Sequence, residues 1–253
     1  MSKVIYLMML VGIFMTISCT DGALTTENKY SMDEKVESRS TKATVFEFPE
    51  IQWEAFETHG QKLAACEIPD SILPMIPTEE LVEICMKYPM LLDAYAFNTP
   101  LQGIKIVASR FNGFKELMKR EDNCFYVFKY LIKNDIRNVD LDKLMPVDAG
   151  RTTLVYILAE YVLSFDHVIC NATEDMKDEI ASFAYEVLEK KESDVTHHAL
   201  GSLTSSMYLW INTLSNKTKA RSVNPTIEAF LESGMIQNRI QYLEIKKQCQ
   251  TLK

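Results

Sequence analysis

Glycine is scarce in this 253-residue chain, with eight in all, at positions 12, 22, 60, 103, 113, 150, 201 and 234. A dinucleotide fingerprint or a phosphate-cradling loop needs several glycines in one tight turn, and no two of these lie close enough, so nucleotide enzymes of the usual loop types are disfavoured. Basic charge is short as well: 27 Lys and Arg against 35 Asp and Glu give a formal net charge of −8. Broad binding to nucleic acid or anionic headgroups depends on clustered cations, so no nucleic-acid partner is expected. Gly-x-Ser-x-Gly and His-Glu-x-x-His are both missing, which removes two familiar signatures of serine hydrolases and zinc proteases. Beyond the N-terminus no uninterrupted twenty-residue apolar run occurs. Glu160, Asp166 and His167 break the strongest one, which therefore reads as a core helix and not as a membrane span.

What is present begins with the first nineteen residues: Lys3, the apolar run Val4 to Met15, then Thr16-Ile17-Ser18-Cys19. A positive start, a short apolar core and small residues before a cysteine are the parts of a cleaved export signal. The Ile-Ser-Cys ending resembles a bacterial lipobox. That resemblance implies cleavage after residue 18, acylation of Cys19 and a lipid anchor at the new N-terminus. Residues 19–44, rich in Ser, Thr, Lys and Glu, have too little to bury to offset their ordering entropy and are expected to be a flexible tether reaching on the order of 25–30 Å. Residues 45–253 are then the folded part, entered through the β-prone Val45 to Pro49, with a subdivision conceivable near 135–149.

Apolar content of 47% with 25% charged residues is that of a globular chain. Six of its eight prolines, at 49, 69, 74, 77, 89 and 100, forbid long helices in the first half. Short ones are expected after a Thr78 cap with Glu79-Glu80, over Met90–Phe97, Leu101–Phe111 and Phe114–Lys119, and from Asp122 onward. Asp135 to Gly150 reads as a connector. Beyond it, Leu154, Ile157, Leu158, Tyr161, Phe165, Val168 and Ile169 recur at helical spacing and predict one continuous core helix with Glu160 on its exposed side. A second helix follows the Thr173 cap, and a third carries Leu200, Leu203, Met207, Trp210, Ile211 and Leu214. The last opens at Asn224-Pro225 and carries Ile227, Phe230, Leu231, Ile236, Ile240 and Leu243, with Gly234 able to bend or split it. The fold class is all-α: short, proline-cornered helices followed by a bundle-like set of longer ones.

Residues 75–122 carry a set of recurrent pieces: Pro77-Thr78-Glu79-Glu80-Leu81, the Tyr88-Pro89 corner, the Asn98 turn, Phe111-Asn112-Gly113 and Lys119-Arg120-Glu121-Asp122. This stretch resembles a family of uncharacterised exported and lipid-anchored helical proteins of gut Bacteroidetes. It covers about a fifth of the chain and implies an address and a helical fold, but no activity.

Several chemical constellations can be drawn, and each has a plainer explanation. His167 and Cys170, with His197-His198, offer zinc-type ligands, but nothing in the spacing brings the two groups together, so no metal or other cofactor is expected. Ser202, Ser205 and Ser206 with Asp166 and His167 suggest a hydrolase; on an amphipathic helix such serines are better read as a small polar face or a close helix contact. Asn112 reads as architectural, with Phe111 and Phe114 packing beside it. Cys85, Cys124 and Cys170 read as small buried hydrophobes; a Cys66–Cys85 disulfide is the alternative that export permits. Asn171-Ala172-Thr173 and Asn216-Lys217-Thr218 match the N-glycosylation pattern, and Asp70-Ser71-Ile72 resembles a bacterial O-glycosylation tripeptide.

No catalytic residue emerges, and Cys19 is the one site residue assigned. The expected function is a non-catalytic binding module of the bacterial cell envelope, lipid-anchored in the outer membrane, with a protein or glycan partner. The alternative is an envelope hydrolase whose active site is assembled only in the fold. That alternative requires a polar pocket holding two or more inward-facing ionisable residues.

Overall fold

Prolines set the boundaries of the first half. The computed structural model of the chain describes residues 46–218 and 224–250; the export signal, Cys19 and the tether therefore lie outside the described residues, as does Val45. Five helices of six to eleven residues follow one another with sharp corners: α1 (His59–Ala65), α2 (Thr78–Met86), α3 (Pro100–Arg110), α4 (Asn112–Leu117) and α5 (Asn123–Lys133). A single 3-10 turn at Leu73–Met75 and a six-residue 3-10 helix at Leu91–Ala96 fill the proline-punctuated gaps. Among the described residues there is no strand, and the fold is all-α.

Local chemistry differs from expectation at two of these starts. Thr78 does not cap α2. Pro77 holds the cap position, and the Thr78 hydroxyl instead donates to Asp122 Oδ1 at 2.9 Å. Arg120 completes the lock by donating to the Ile76 carbonyl at 2.5 Å and the Leu73 carbonyl at 3.3 Å, so one guanidinium ties the 3-10 turn to the α4–α5 corner. Asn112 is architectural in an unforeseen way: its amide donates to the Ile68 carbonyl at 2.7 Å and accepts from the Ile68 N–H at 3.0 Å. Phe48, on the extended arm before α1, packs its ring on Tyr88 and Phe111, which stack on each other at 4.1 Å.

The second half contains α6 (Pro146–Leu163), the single turn α7 (Asp166–Ile169), α8 (Glu174–Ser193), α9 (Leu200–Thr218), α10 (Pro225–Ser233) and α11 (Arg239–Gln250). The expected connector ends at Met145, because Pro146 occupies the first position of α6, where its missing N–H costs nothing. Thr173 caps α8 by accepting from the Met176 N–H, and Asn224 caps α10 by accepting from the Thr226 N–H, both as expected.

The continuous helix expected over 154–169 is broken. Ser164 ends α6, its hydroxyl donating back to the Tyr161 carbonyl at 2.7 Å, and Phe165 is extended. The Ser164 carbonyl freed by the break accepts from Asn212 of α9 at 2.8 Å. The last helix is split at Gly234, whose φ of 63° is the left-handed conformation open to glycine; its N–H closes α10 on the Phe230 carbonyl. The split rotates α11. Tyr242, Ile245 and Cys249 face inward, whereas Ile240 and Leu243, expected in the buried stripe, are 80% and 51% exposed.

The core is organised by two enclosed stretches. Every residue from Tyr156 to Leu163 on α6 and from Ser202 to Thr213 on α9 is buried. Helix α9 packs on α8, α6, α10 and α11, and α6 packs also on α5 and α3, so the connector does not divide the described residues, which belong to one compact unit. Five cysteines are free: Cys66, Cys85, Cys124 and Cys249 are buried, and Cys170, contrary to expectation, is exposed at the end of α7. No described helix is long and apolar enough to cross a membrane.

Candidate functional site

The most polar part of the core is also the largest departure from the sequence reading. Glu160, expected on the exposed side of α6, is 1% exposed. Its carboxylate accepts from Lys191 of α8 at 2.9 and 3.1 Å and from the hydroxyls of Ser205 and Ser206 of α9, the latter at 2.6 Å. Lys191 is fully buried and spends its third hydrogen on the Ser202 carbonyl at 3.1 Å, with the Tyr156 ring 5.1 Å away. Burial pulls the lysine down from its ordinary range, opposed by the Glu160 charge and hydrogen bond. His198, facing Ser202 Oγ at 3.3 Å, is held down at about 4 by burial and by the nearby Lys191 charge, so it is neutral at pH 7.

The residue types of a serine hydrolase are therefore gathered, but the arrangement does not favour catalysis. A nucleophile must meet a substrate carbonyl, and Ser205 and Ser206 have no exposed surface. Their hydroxyl protons point at a carboxylate that also accepts two hydrogen bonds from Lys191, so neither the glutamate nor the lysine is free to take a proton from them. Asp166 and His167, the other expected hydrolase pair, lie on α7 away from these hydrogen bonds. Among the described residues no group of three or more His, Cys, Asp or Glu side chains is placed to hold a metal ion.

The accessible candidate is a groove of about 500 Å³ at the broken corner of α6. Its apolar floor includes Leu101, Ala108, Phe165 and Tyr208; Lys105 and Lys115 line it from α3 and α4, and Asp166 and His167 from α7. The size is that of a small-molecule site. Its polar floor groups are already satisfied: Ser164 bonds Tyr161, and Tyr208 donates to the Leu231 carbonyl at 3.1 Å. By contrast, Lys105, Lys115, Asp166 and His167 are exposed, and their side chains make no hydrogen bond or ion pair among the described residues. Burial, with a contribution from Asp166, raises the Tyr208 phenol to about 12, which leaves it neutral. Compared with family models, curated proteins and solved structures, the chain matches none.

The break that builds this corner is what sequence reasoning missed. A hydroxyl residue followed by Phe-Asp inside an apolar run is its only local signal, Ser164 closing one helix and Asp166 opening the next. A second cavity of about 380 Å³, between α1 and α3, is lined by Leu63, Tyr88, Phe97 and Val107 with Asp93 and Arg110 at its edge. It is smaller, and its two charges offset each other.

One further ionic contact joins the connector to the bundle. His197 places Nδ1 at 3.0 Å from both Asp194 oxygens and Nε2 at 3.1 Å from Asp142 on the 3-10 turn Leu141–Lys143. The Asp194 hydrogen bond raises its pKa. A raised histidine stabilises the fold below its unfolded pKa, and the contribution is lost as pH rises through the folded value. His197→Gln is therefore expected to lower the denaturant midpoint at about pH 5.5 and to change it little at about pH 8.5. His198, charged only below about 4, acts in the opposite direction; burial and Lys191 come before the His197 charge as causes of that lowering, so most of its contribution is common to both proteins. Equal differences at the two pH values would show that the His197 contact is not ionic.

Proposed function

We propose that this chain is a lipid-anchored, non-catalytic binding module of the bacterial cell envelope, with the groove between α3, α4, α7 and α9 as its binding site. The observation that carries the reading is the contrast between two polar sites: the Ser–Lys–Glu cluster is sealed and internally satisfied, while the groove presents, around an apolar floor, ionisable side chains that have no partner among the described residues. Groups left without partners at the mouth of a cavity are what a ligand satisfies. The address rests on the signal-like N-terminus, Cys19 and the resemblance of residues 75–122 to exported, lipid-anchored proteins.

Two experiments test the two halves of this reading. Cys19→Ala is expected to abolish lipid labelling and leave a longer, unprocessed chain; cleavage after residue 18 with retained membrane partition would refute the anchor. For the groove, the protein is incubated with a low-molecular-mass envelope extract beside Ser109→Trp, which places an indole on an exposed groove position. Selective retention of an unaltered component by the natural chain is the expected result. Steady conversion of that component to a product would favour the hydrolase alternative.

A further inference from the structure

Resting on the groove as the binding site, we infer that its ligand class is a single-chain amphiphilic monoanion: an apolar body over the floor and one carboxylate or similar anion between Lys105 and Lys115. The floor residues Leu101, Ala108, Met118 and Phe165 offer no polar group to a ligand body, whereas the two lysines reach the same cavity from α3 and α4. Neither ammonium has a carboxylate partner among the described residues. In a chain of net charge −8, two lysines without a carboxylate partner among the described residues, set around one apolar floor, make a local site of opposite sign to the whole. Asp166 on α7 subtracts one charge from that pair, leaving about one anion to be matched, and sets a carboxylate that repels a second. A cation would meet two like charges against the single carboxylate of Asp166, a net repulsion, and a neutral chain would leave the lysines' excess charge uncompensated beside an apolar surface.

The test uses the full chain purified in a neutral maltoside detergent and titrated with decanoate, decanol and decyltrimethylammonium. Each titration is paired with Ser109→Trp, so that partition into detergent cancels. Decanoate is expected to bind saturably, one per chain, about tenfold or more tighter than decanol, with no specific binding of decyltrimethylammonium. The double variant Lys105→Gln/Lys115→Gln is expected to reduce decanoate to the level of decanol without changing the melting temperature, because both side chains are exposed. Asp166→Asn is expected to tighten decanoate binding. Equal affinity for decanoate and decanol, or undiminished decanoate binding in the lysine double variant, overturns the inferred anion and leaves the groove as a binding site. Saturable binding to phosphatidylglycerol vesicles that decanoate does not displace overturns it in favour of a lipid surface. If none of the three probes distinguishes the natural chain from Ser109→Trp, the groove itself is refuted and the inference falls with it.

Discussion

Glu160→Ala is expected to lower the unfolding free energy by about 3–5 kcal/mol, because it strands the fully buried ammonium of Lys191. The native carboxylate satisfies two of the three lysine hydrogens' directions and both serine hydroxyls; removing it leaves the lysine hydrogen-bonded to the Ser202 carbonyl and over the face of Tyr156, with Asp135 as an acid that makes it no hydrogen bond. The loss is an appreciable share of the about 5–15 kcal/mol typical of a domain. Replacing both charges, as Glu160→Leu/Lys191→Met, is expected to be much less damaging than Glu160→Ala alone, since the desolvation of both ions disappears with them. Denaturant midpoints with native-like circular dichroism decide it. A midpoint for Glu160→Ala close to that of the natural chain, as an exposed glutamate would give, would contradict the burial of this pair.

The sequence contained a signal for that burial, although the residue was expected to be exposed. Around Glu160 the helix reads Ile157, Leu158, Ala159, then Tyr161, Val162 and Leu163, apolar on every face. A helix apolar all round is enclosed all round, so a lone acid in it has no exposed side to occupy and must find a buried cation. The partner could not be named from sequence. Lys191 sits in the last turn of α8 beside Lys190, where a lysine is ordinarily a solvated complement to the helix dipole. Ser205 and Ser206 were legible as a small face for close helix contact, but not as donors to a carboxylate 45 and 46 residues away.

Elements whose cause is local were the easiest to read. Thr173 and Asn224-Pro225 act within one helical turn, and both caps form where expected. Thr78 shows the limit of that reasoning. Its sequence neighbours suit a cap, but Asp122, 44 residues distant, takes the hydroxyl. The break at Ser164 has the same character, being completed by the long-range bond from Asn212. The candidate groove lies on that corner, so its existence depended on a contact that periodicity does not contain. Its lysines were present in the sequence without any feature to set them apart from other solvated charges.

Leu158→Ala is expected to destabilise the fold by about 2–5 kcal/mol, the sum of lost transfer energy and the cavity left behind. Leu158 has no exposed surface and lies in the stretch of α6 where eight consecutive residues, Tyr156 to Leu163, are buried; few neighbours on so enclosed a helix can move to fill the space. Ile240→Ala is the matching control. By periodicity both residues belong to buried stripes, but the turn at Gly234 leaves Ile240 80% exposed, and its truncation is expected to change stability by less than about 0.5 kcal/mol. The comparison separates hydrophobicity from position, since each variant removes several carbons from a large aliphatic side chain. Comparable losses for the two would place Ile240 in the core and make α10 and α11 one continuous helix, as the periodicity alone suggests. A large loss at Leu158 with none at Ile240 follows only if the left-handed glycine rotates α11 and α6 runs through the centre of the bundle.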